Sequence, residues 1–479
     1  MGRIKLALII APLDIDVGMK ESLPHIGIAY IAGNVDAQKT EVRIFDCPAL
    51  RMTGERLIRE LKQYRPDVVG LTAMTHQIDA TAKTAESVKR VLPDSKIIIG
   101  GYHVSAVPVE TIQRYPVFDI GVAGEGELTL RELTSLFADE GLDADISGIP
   151  GVCYRVNGET AFTGIRPFIE DLDSLSYPAY HLMPMERYIG FYSMLAVPRR
   201  TVAIVTGRGC PYKCIFCYKA MGEKYRTRKV ASVIEELKWD ISEYQIKDFV
   251  ITDESFLLKK QRIYEFCETI IKENINKKVN WICQSRVDHA DPELLKLMKT
   301  AGCRVISFGV ETGNQQMMKD IGKAITKEQA INAVRWAREA GIFTDTNYII
   351  GHPGETRETI KETIDFSLKL NPDAASFSLL VPFPGTVVAD MAARGEGGLK
   401  QLSHDYRLFG KQVGGSMELE DIPRVELEKY QRTAYMKFFL RPGKIFNLLR
   451  IVSLKLMFKM AWHSIVSRGK PGRGDHETQ

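Results

Sequence analysis

The chain has 479 residues, 45% hydrophobic and 26% charged, a balance ordinary for a globular protein of several domains. Its 64 Lys and Arg against 60 Asp and Glu leave a net charge of +4, which argues against a nucleic-acid binder held by a strong basic field. Eight Cys are too sparse for a secreted disulfide scaffold, and 38 Gly with 21 Pro exclude collagen-like and low-complexity chains.

The N-terminal MGRIKLALIIAP reads as a first strand rather than a signal peptide. The chain has no apolar run of about 20 residues, so no spanning helix is predicted. Short Ile- and Val-rich runs then alternate with segments of helical period. Strands are predicted at Ile4–Ala11, Glu41–Asp46, Asp67–Ala73, Lys96–Gly100 and Phe118–Ala123, with helices at Thr53–Gln63 and Asp79–Val91 between them. This alternation predicts an α/β domain over residues 1–150, a doubly wound parallel sheet. Ligands of such sheets bind beyond the carboxyl ends of the strands. That rule points to Pro12, Thr72, Gly100 and Gly101, and the turn Gly124–Gly126.

Residues 151–198 read as a linker: Asn157–Gly158 between two short β-like runs signals a hairpin, and a stretch rich in Pro, Asp, Ser and Tyr follows. A second alternation fills residues 199–398. Its predicted strands are Thr201–Thr206, Asp248–Thr252, Val279–Cys283, Arg304–Gly309, Thr344–Ile350 and Ala375–Val381. Predicted helices lie between them, for example Val230–Glu243, Lys327–Ala340 and Thr356–Leu370. Six βα units in order predict a partial (β/α)6 TIM-like barrel, open on one side, with its chemistry at the carboxyl ends of the strands. Residues 399–479 are expected to form a C-terminal helical region ending in a disordered tail. Between Gln431 and Lys470 stand nine Lys or Arg and no acid, interleaved with Phe, Leu, Met and Trp. Such a pattern suits either a helical cap with a solvated basic face or a peripheral contact with an anionic membrane.

Three of the eight cysteines are bunched. Cys210, Cys214 and Cys217 stand in GRGCPYKCIFCYK, a C-x3-C-x2-C spacing directly after the first strand of the second region. Three soft thiolates on one loop can hold zinc or an iron–sulfur cluster. A structural zinc site takes four ligands, and Cys267, Cys283 and Cys303 fall within other predicted elements. The loop therefore implies a metal centre with one open position. No H-E-x-x-H or matching His set supports a zinc hydrolase.

The spacing, with Phe216 just before the last Cys, resembles the radical S-adenosylmethionine (SAM) superfamily, and the likeness extends over roughly 199–385. It implies a [4Fe–4S] cluster on the three thiolates and SAM on the fourth iron. An electron from the cluster would cleave SAM to methionine and a 5′-deoxyadenosyl radical. By the same resemblance Phe216, Asp253, Glu254, Ser285, Arg286, Glu311, Gly351 and Pro353 are expected around SAM, with Asp253 and Glu254 at its amino group. Arg286 has a second reading, a structural ion pair. Pro382–Thr386 resembles a further family signature of structural purpose.

A doubly wound domain before such a barrel resembles the cobalamin-binding members, which include the anaerobic magnesium-protoporphyrin cyclase and the class B methyltransferases. Pro24–Tyr30, Gly100–Ser105 and Gly124–Glu127 follow that subgroup's pattern in order. The resemblance places Thr72, Gly100, Gly101, Tyr102, His103, Gly124, Glu125 and Gly126 at cobalamin. The D-x-H-x-x-G pattern that brings a cobalt-ligating His is missing: the chain has Asp14-Ile-Asp-Val-Gly18. His76 and His103 are read as polar or core residues rather than cobalt ligands.

The implied activity is methylation of an unactivated carbon by a cobalamin-dependent radical SAM enzyme. Oxidative cyclisation or ring rearrangement is the alternative, and a corrinoid or iron–sulfur carrier without SAM cleavage is an alternative of another class. Only Cys47 and Cys153 lie in the N-terminal part, too few for the second cluster of a methylthiotransferase. The expected partners are a small molecule, of lipid or tetrapyrrole type, and an electron donor such as flavodoxin or ferredoxin. No nucleic acid is expected. Thiolate chemistry implies a reducing, cytoplasmic setting.

Overall fold

The computed structural model describes residues 3–12, 23–190, 199–410 and 415–444. The first sheet contains β1 (Ile4–Ile10), β2 (Thr40–Asp46), β3 (Val68–Thr72), β4 (Lys96–Gly100) and β5 (Ile120–Val122), parallel in the order β2-β1-β3-β4-β5. These strands read as near-continuous apolar runs because both faces are covered. Helices Gly54–Tyr64, Ile78–Lys89 and Pro108–Arg114 pack on one face through Leu57, Ala82 and Ile112. Helices Ile26–Asn34 and Gly126–Glu140 cover the other through Ile28, Leu130 and Leu133. The strand order reverses between β1 and β3, which opens a crevice at their carboxyl ends.

The hairpin assigned to the linker instead extends this sheet. β6 (Val152–Val156) and β7 (Glu159–Phe162) add antiparallel to β5. Asn157 and Gly158, with φ of 52° and 82°, make the mirror-image turn that suits strand twist. The sheet thus continues twelve residues past the expected boundary, to Phe162.

The second sheet starts with the short β8 (Ile189–Gly190), antiparallel to β9 (Arg199–Ile204). A two-stranded ribbon, β10 (Gly207–Arg208) and β11 (Arg226–Thr227), then brackets the cysteine loop. β12 (Asp248–Ile251), β13 (Asn280–Arg286), β14 (Cys303–Glu311), β15 (Phe343–Ile350) and β16 (Ala374–Leu379) follow β9 side by side, all parallel and in chain order. Helices Val230–Tyr244, Lys260–Lys272, Pro292–Thr300, Lys327–Glu339 and Arg357–Leu370 bury the outer face. Cys267, Cys283 and Cys303 are all buried in this core. On the inner face Val250, Ile282, Val305 and Phe343 gather around Leu23 from the first domain. This is the predicted six-unit partial barrel.

A small ribbon, β17 (Leu399–Gln401) with β18 (Met417–Leu419), leads to the helix Arg424–Phe439. That helix caps the open edge at β16. Gln431 donates to the Phe377 carbonyl at 2.8 Å, Phe377 N donates to the Tyr435 hydroxyl at 3.1 Å, and Phe438 is fully buried. The basic stretch 431–470 is described only to Lys444, and up to Phe439 it follows the cap reading; the rest lies outside the described residues, as does Asp14–Gly18. Among the described residues no helix is long and apolar enough to cross a membrane.

Candidate functional site

The loop carrying Cys210, Cys214 and Cys217 is fastened at three backbone points. Cys210 N donates to Gly222 O at 3.0 Å, Ile215 N to Ile321 O at 3.1 Å, and Val388 N to Ile215 O at 3.1 Å. Two glycines make the tight path possible. Gly209 has φ +90° and a Cβ on it would sit 2.3 Å from Lys224 O; Gly322 has φ +70° and its Cβ would sit 2.3 Å from Lys213 O. Three soft thiolates on one short loop are a donor set that an iron–sulfur cluster takes, and among the described residues no three Cys, His, Asp or Glu side chains converge on a single-ion point. Burial raises the Cys214 thiol, and Lys323 and Arg286 oppose that shift. Surrounding protein, then Cys214 and Cys210, push Cys217 up to about 11. Phe216 packs against the barrel core with its ring 5.7 Å from that of His352.

Glu254 stands beside this loop. Its carboxylate accepts from Gly209 N at 3.2 Å and acts electrostatically on Cys217, and burial raises its pKa. That is a suitable seat for an ammonium group. Asp253, expected there too, is committed elsewhere. One carboxylate oxygen accepts from Thr206 N at 2.7 Å, and the other from Thr206 Oγ1 at 2.6 Å and Tyr225 OH at 3.3 Å. Asp253 therefore ties the end of β9 to the far arm of the cysteine loop and presents no free oxygen.

Arg286 makes the ion pair of its second reading while its buried Nη1 keeps no protein partner. It forms a two-point ion pair with Asp288 at 2.9 Å, donates to Lys323 O at 2.6 Å, and stacks 3.6 Å from the Tyr212 ring centroid. Tyr212, inside the cysteine loop, in turn bonds His289 Nε2 at 2.5 Å. Ser285 keeps a buried Oγ without a protein partner. Glu311 faces the loop in a buried ion pair with Lys323.

At the β15 turn Gly351 N and His352 N both donate to Glu355 Oε2, at 2.5 and 3.1 Å. Burial pushes Glu355 up to about 7 and His352 down to about 4. Pro353 packs on the C-terminal segment: a Cβ at Gly397 would meet it at 2.6 Å. The contact from this turn to the loop therefore comes from His352, not from Gly351 or Pro353. Gly385 lets Tyr218 of the loop and the helix Tyr102–Ala106 close together, since a Cβ there would meet Tyr218 at 2.8 Å and Ala106 at 3.2 Å. The structural reading of Pro382–Thr386 fits this.

At the crevice of the first sheet lies a cavity of about 720 Å³. Thr72, Gly100, Gly101, Tyr102, Gly124, Glu125 and Gly126 line it, together with Gly27, Gly70 and Met221, which sequence reasoning did not single out. Gly27 was signalled by its place in Pro24–Tyr30. The cavity runs down between the sheet and helix Ile26–Asn34, past Leu8, Gly70, Ile28 and Ile31. A Cβ on Gly70 would lie 2.8 Å from Leu8 Cδ2, so the bare glycine keeps this slot open. The apolar lining and bare glycines suit a planar macrocycle with a tail. Tyr102, 43% exposed, stands at the mouth and is influenced by Glu254 and Cys217. It thus lies between the cavity and the cysteine loop.

Two expected contacts differ. His103 is outside the cavity lining: it is buried, its Nδ1 lies 3.4 Å from Thr75 Oγ1, and its ring meets Tyr406 edge-on at 4.6 Å. Glu125 walls the cavity, but its carboxylate is taken by Ile169 N at 2.7 Å, Arg208 at 2.9 Å and Arg226 at 3.0 Å. The inner barrel face adds a polar set that pattern reading passed over: Ser307 Oγ donates to Asp345 at 3.2 Å, and Asn347 Nδ2 donates to Ser307 Oγ at 2.9 Å. Asp345 and Asn347 share one face of β15, where they are half-buried, while Thr344, Thr346 and Tyr348 on the other face are buried.

Residues 204–367 match the profile of the Radical SAM superfamily, and residues 17–134 match the B12 binding domain. The chain is 33% identical over 421 residues to the uncharacterized methyltransferase PH0819 of Pyrococcus horikoshii, covering 88% of each protein. It is 30% identical to the anaerobic magnesium-protoporphyrin IX monomethyl ester cyclase of Cereibacter sphaeroides, over 76% of this chain and 60% of that enzyme. Its fold resembles the radical SAM methyltransferase TsrM of Kitasatospora setae, solved with cobalamin and a [4Fe–4S] cluster bound, with a TM-score of 0.72 at 20% identity over 92% of this chain and 90% of that one.

Proposed function

This chain belongs to the radical SAM superfamily and carries a B12 binding domain, and from that premise we propose that it is a cobalamin-dependent radical SAM methyltransferase acting on carbon. The observation that carries the reading is the placement of Tyr102 and Glu254. The cavity of the first sheet and the cysteine loop of the barrel open toward one another across these two side chains.

Cys210, Cys214 and Cys217 would hold the cluster, and Glu254 the ammonium of SAM. Ser285 Oγ, buried and unpartnered, is free to bond the same ligand. Phe216 and His352 wall the loop on the barrel side. Thr72, Gly100, Gly101, Tyr102, Gly124, Gly126, Gly27 and Gly70 would cradle cobalamin. When bound, cluster and SAM supply a 5′-deoxyadenosyl radical and cobalamin a methyl carrier. The chain's own residues position these groups and exclude water. Lys323 and Arg286 lower the cost of thiolate charge at Cys214, which must lose its proton to ligate iron. A substrate seated on the inner barrel face would meet Ser307, Asp345 and Asn347, a hydrogen-bonding patch above the apolar floor of Val250, Ile282 and Val305.

The electron donor in this reading is a flavodoxin or ferredoxin, in a reducing cytoplasm. An amphiphilic substrate, and a peripheral membrane contact of the basic stretch 431–470 beyond its capping residues 431–439, would complete it. Sedimentation with anionic liposomes at low salt tests that last part, and a chain that stays in the supernatant removes it.

The central test is anaerobic reconstitution with iron, sulfide and cobalamin, reduction, addition of SAM, and mass spectrometry, with Cys210→Ala as control. Formation of both 5′-deoxyadenosine and S-adenosylhomocysteine, lost in the control, is the expected result. Deoxyadenosine alone would favour the cyclase reading, to which the Cereibacter relative points. Neither product from a chain loaded with both cofactors would favour the carrier.

A further inference from the structure

The turn that walls the cavity also holds the root of the cysteine loop. Glu125 and Glu127 lie on that turn and line the cavity. Arg208 reaches both, Nη1 to Glu125 at 2.9 Å and Nη2 to Glu127 at 2.6 Å. Arg226, directly across the β10–β11 ribbon from Arg208, binds Glu125 at 3.0 Å and donates to Ile169 O at 2.6 Å and Met221 O at 2.8 Å. Cys210 is two residues beyond Arg208, and the whole loop lies between the two arginines. All four side chains are at most 7% exposed.

We propose that Arg208 is a positioning residue, which with Arg226 clamps the cysteine loop onto the Glu125–Glu127 turn and so fixes the separation between cavity and cluster. The proposal rests on the cofactor assignment above. Two arginines against two glutamates leave no net charge, yet their desolvation is costly. A packed apolar interface of the same size would be about as stable. What the quartet adds is direction. A guanidinium forked onto two carboxylates allows little sliding, whereas an apolar contact between domains tolerates it. Chemistry divided between two cofactors on different domains depends on such a fixed distance, and a misplacement of about 1 Å can cost about a hundredfold in rate.

The test uses the full chain, reconstituted with iron, sulfide and hydroxocobalamin, in the wild type and in Arg208→Lys. Lysine keeps the charge but cannot fork to both carboxylates. Electron paramagnetic resonance of Co(II) cobalamin beside the reduced cluster reads their magnetic coupling directly, without substrate. The lysine variant is expected to bind both cofactors at wild-type stoichiometry and to show a broadened or shifted coupling. Its ratio of S-adenosylhomocysteine to 5′-deoxyadenosine should fall about 10- to 100-fold. Glu127→Gln, which leaves Arg208 paired to Glu125, serves where the lysine variant fails to accumulate, and the same shift is expected. Unchanged coupling and product ratio in a variant that carries both cofactors would overturn the clamp alone. A wild-type chain that takes up neither cofactor would overturn the assignment beneath it, and the clamp with it.

Discussion

Glu311 and Lys323 meet as a buried ion pair at the mouth of the barrel, Oε1 to Nζ at 2.9 Å. Gly309 leaves the room: a Cβ there would lie 2.4 Å from Glu311 Oε1 and 2.7 Å from Lys323 Nζ. Glu311 holds a φ of 71°, a left-handed conformation that a non-glycine residue keeps only when its surroundings enforce it. The lysine stands close enough to Cys214 to oppose the rise of that thiol's pKa. The carboxylate at the end of β14 thus has a structural partner besides any ligand it contacts.

Removing one member of this pair should be costly. Glu311→Gln strands a buried ammonium, and a loss of about 3–5 kcal/mol in global stability is expected. Urea denaturation of the apoprotein measures it. An unchanged midpoint would mean that Lys323 finds water or another acceptor.

Cobalamin uptake should be blocked by filling the slot. Gly27 lies on the helix Ile26–Asn34, faces the cavity, and has only the His25 ring within 4 Å of a built Cβ. Gly27→Phe can therefore enter without backbone strain. Bound cobalamin, read by its absorbance after desalting, should fall about tenfold or more, with iron content unchanged. Full cobalamin uptake in this variant would place the cofactor elsewhere.

The adjacent acids Asp253 and Glu254 should separate cleanly. Asp253→Asn disturbs an acceptor that holds Thr206 through two bonds, so it should lower stability by about 1–3 kcal/mol. Glu254→Gln should leave the unfolding midpoint near wild type but weaken SAM binding about tenfold, the loss of one charge-assisted contact. Calorimetry on the cluster-loaded protein, beside thermal melts, distinguishes them. The reverse pattern would assign the ammonium site to Asp253.

Stability should decline toward alkaline pH through Asp240. This carboxyl lies on the buried side of the helix Val230–Tyr244, and its Oδ2 has no partner. Burial, then Glu236, push it up to about 8, while Arg228 opposes them. Its folded pKa is above the unfolded value near 4, so the native state binds the extra proton. Its contribution is fully present at acidic pH and is lost as pH rises from about 4 to 8, by about 1 kcal/mol per pH unit. Asp240→Asn should remove that slope, and its advantage over wild type should grow between pH 6 and pH 8. Parallel stability profiles would show that Asp240 ionises freely.

Legibility differed between levels for physical reasons. The parallel strands announced themselves because each is buried on both faces, and the cysteine loop because three scarce thiols share one short segment. The glycine-bearing strand ends of the first sheet were also readable, since Thr72, Gly100 and Gly124 line the cavity where the strand order reverses. The charged side chains were not. Asp253, Glu125 and Arg286 stand at the right strand ends, yet they bind Thr206, Arg208 with Arg226, and Asp288. Likewise Pro353 packs against Gly397 and His103 against Tyr406, contacts with the C-terminal segment that their neighbours in sequence do not signal.

The sequence by itself determined the two α/β sheets, their order along the chain and the loop that offers three thiolates. Those follow from local periodicity and spacing, which a linear chain carries in full. Only the tertiary structure decided which carboxylates stay open to a ligand and which are neutralised. That outcome depends on partners such as Arg208 and Glu125, 83 residues apart, brought together by domain packing. A charge acquires its role from the groups that surround it in space, and composition and spacing do not record them.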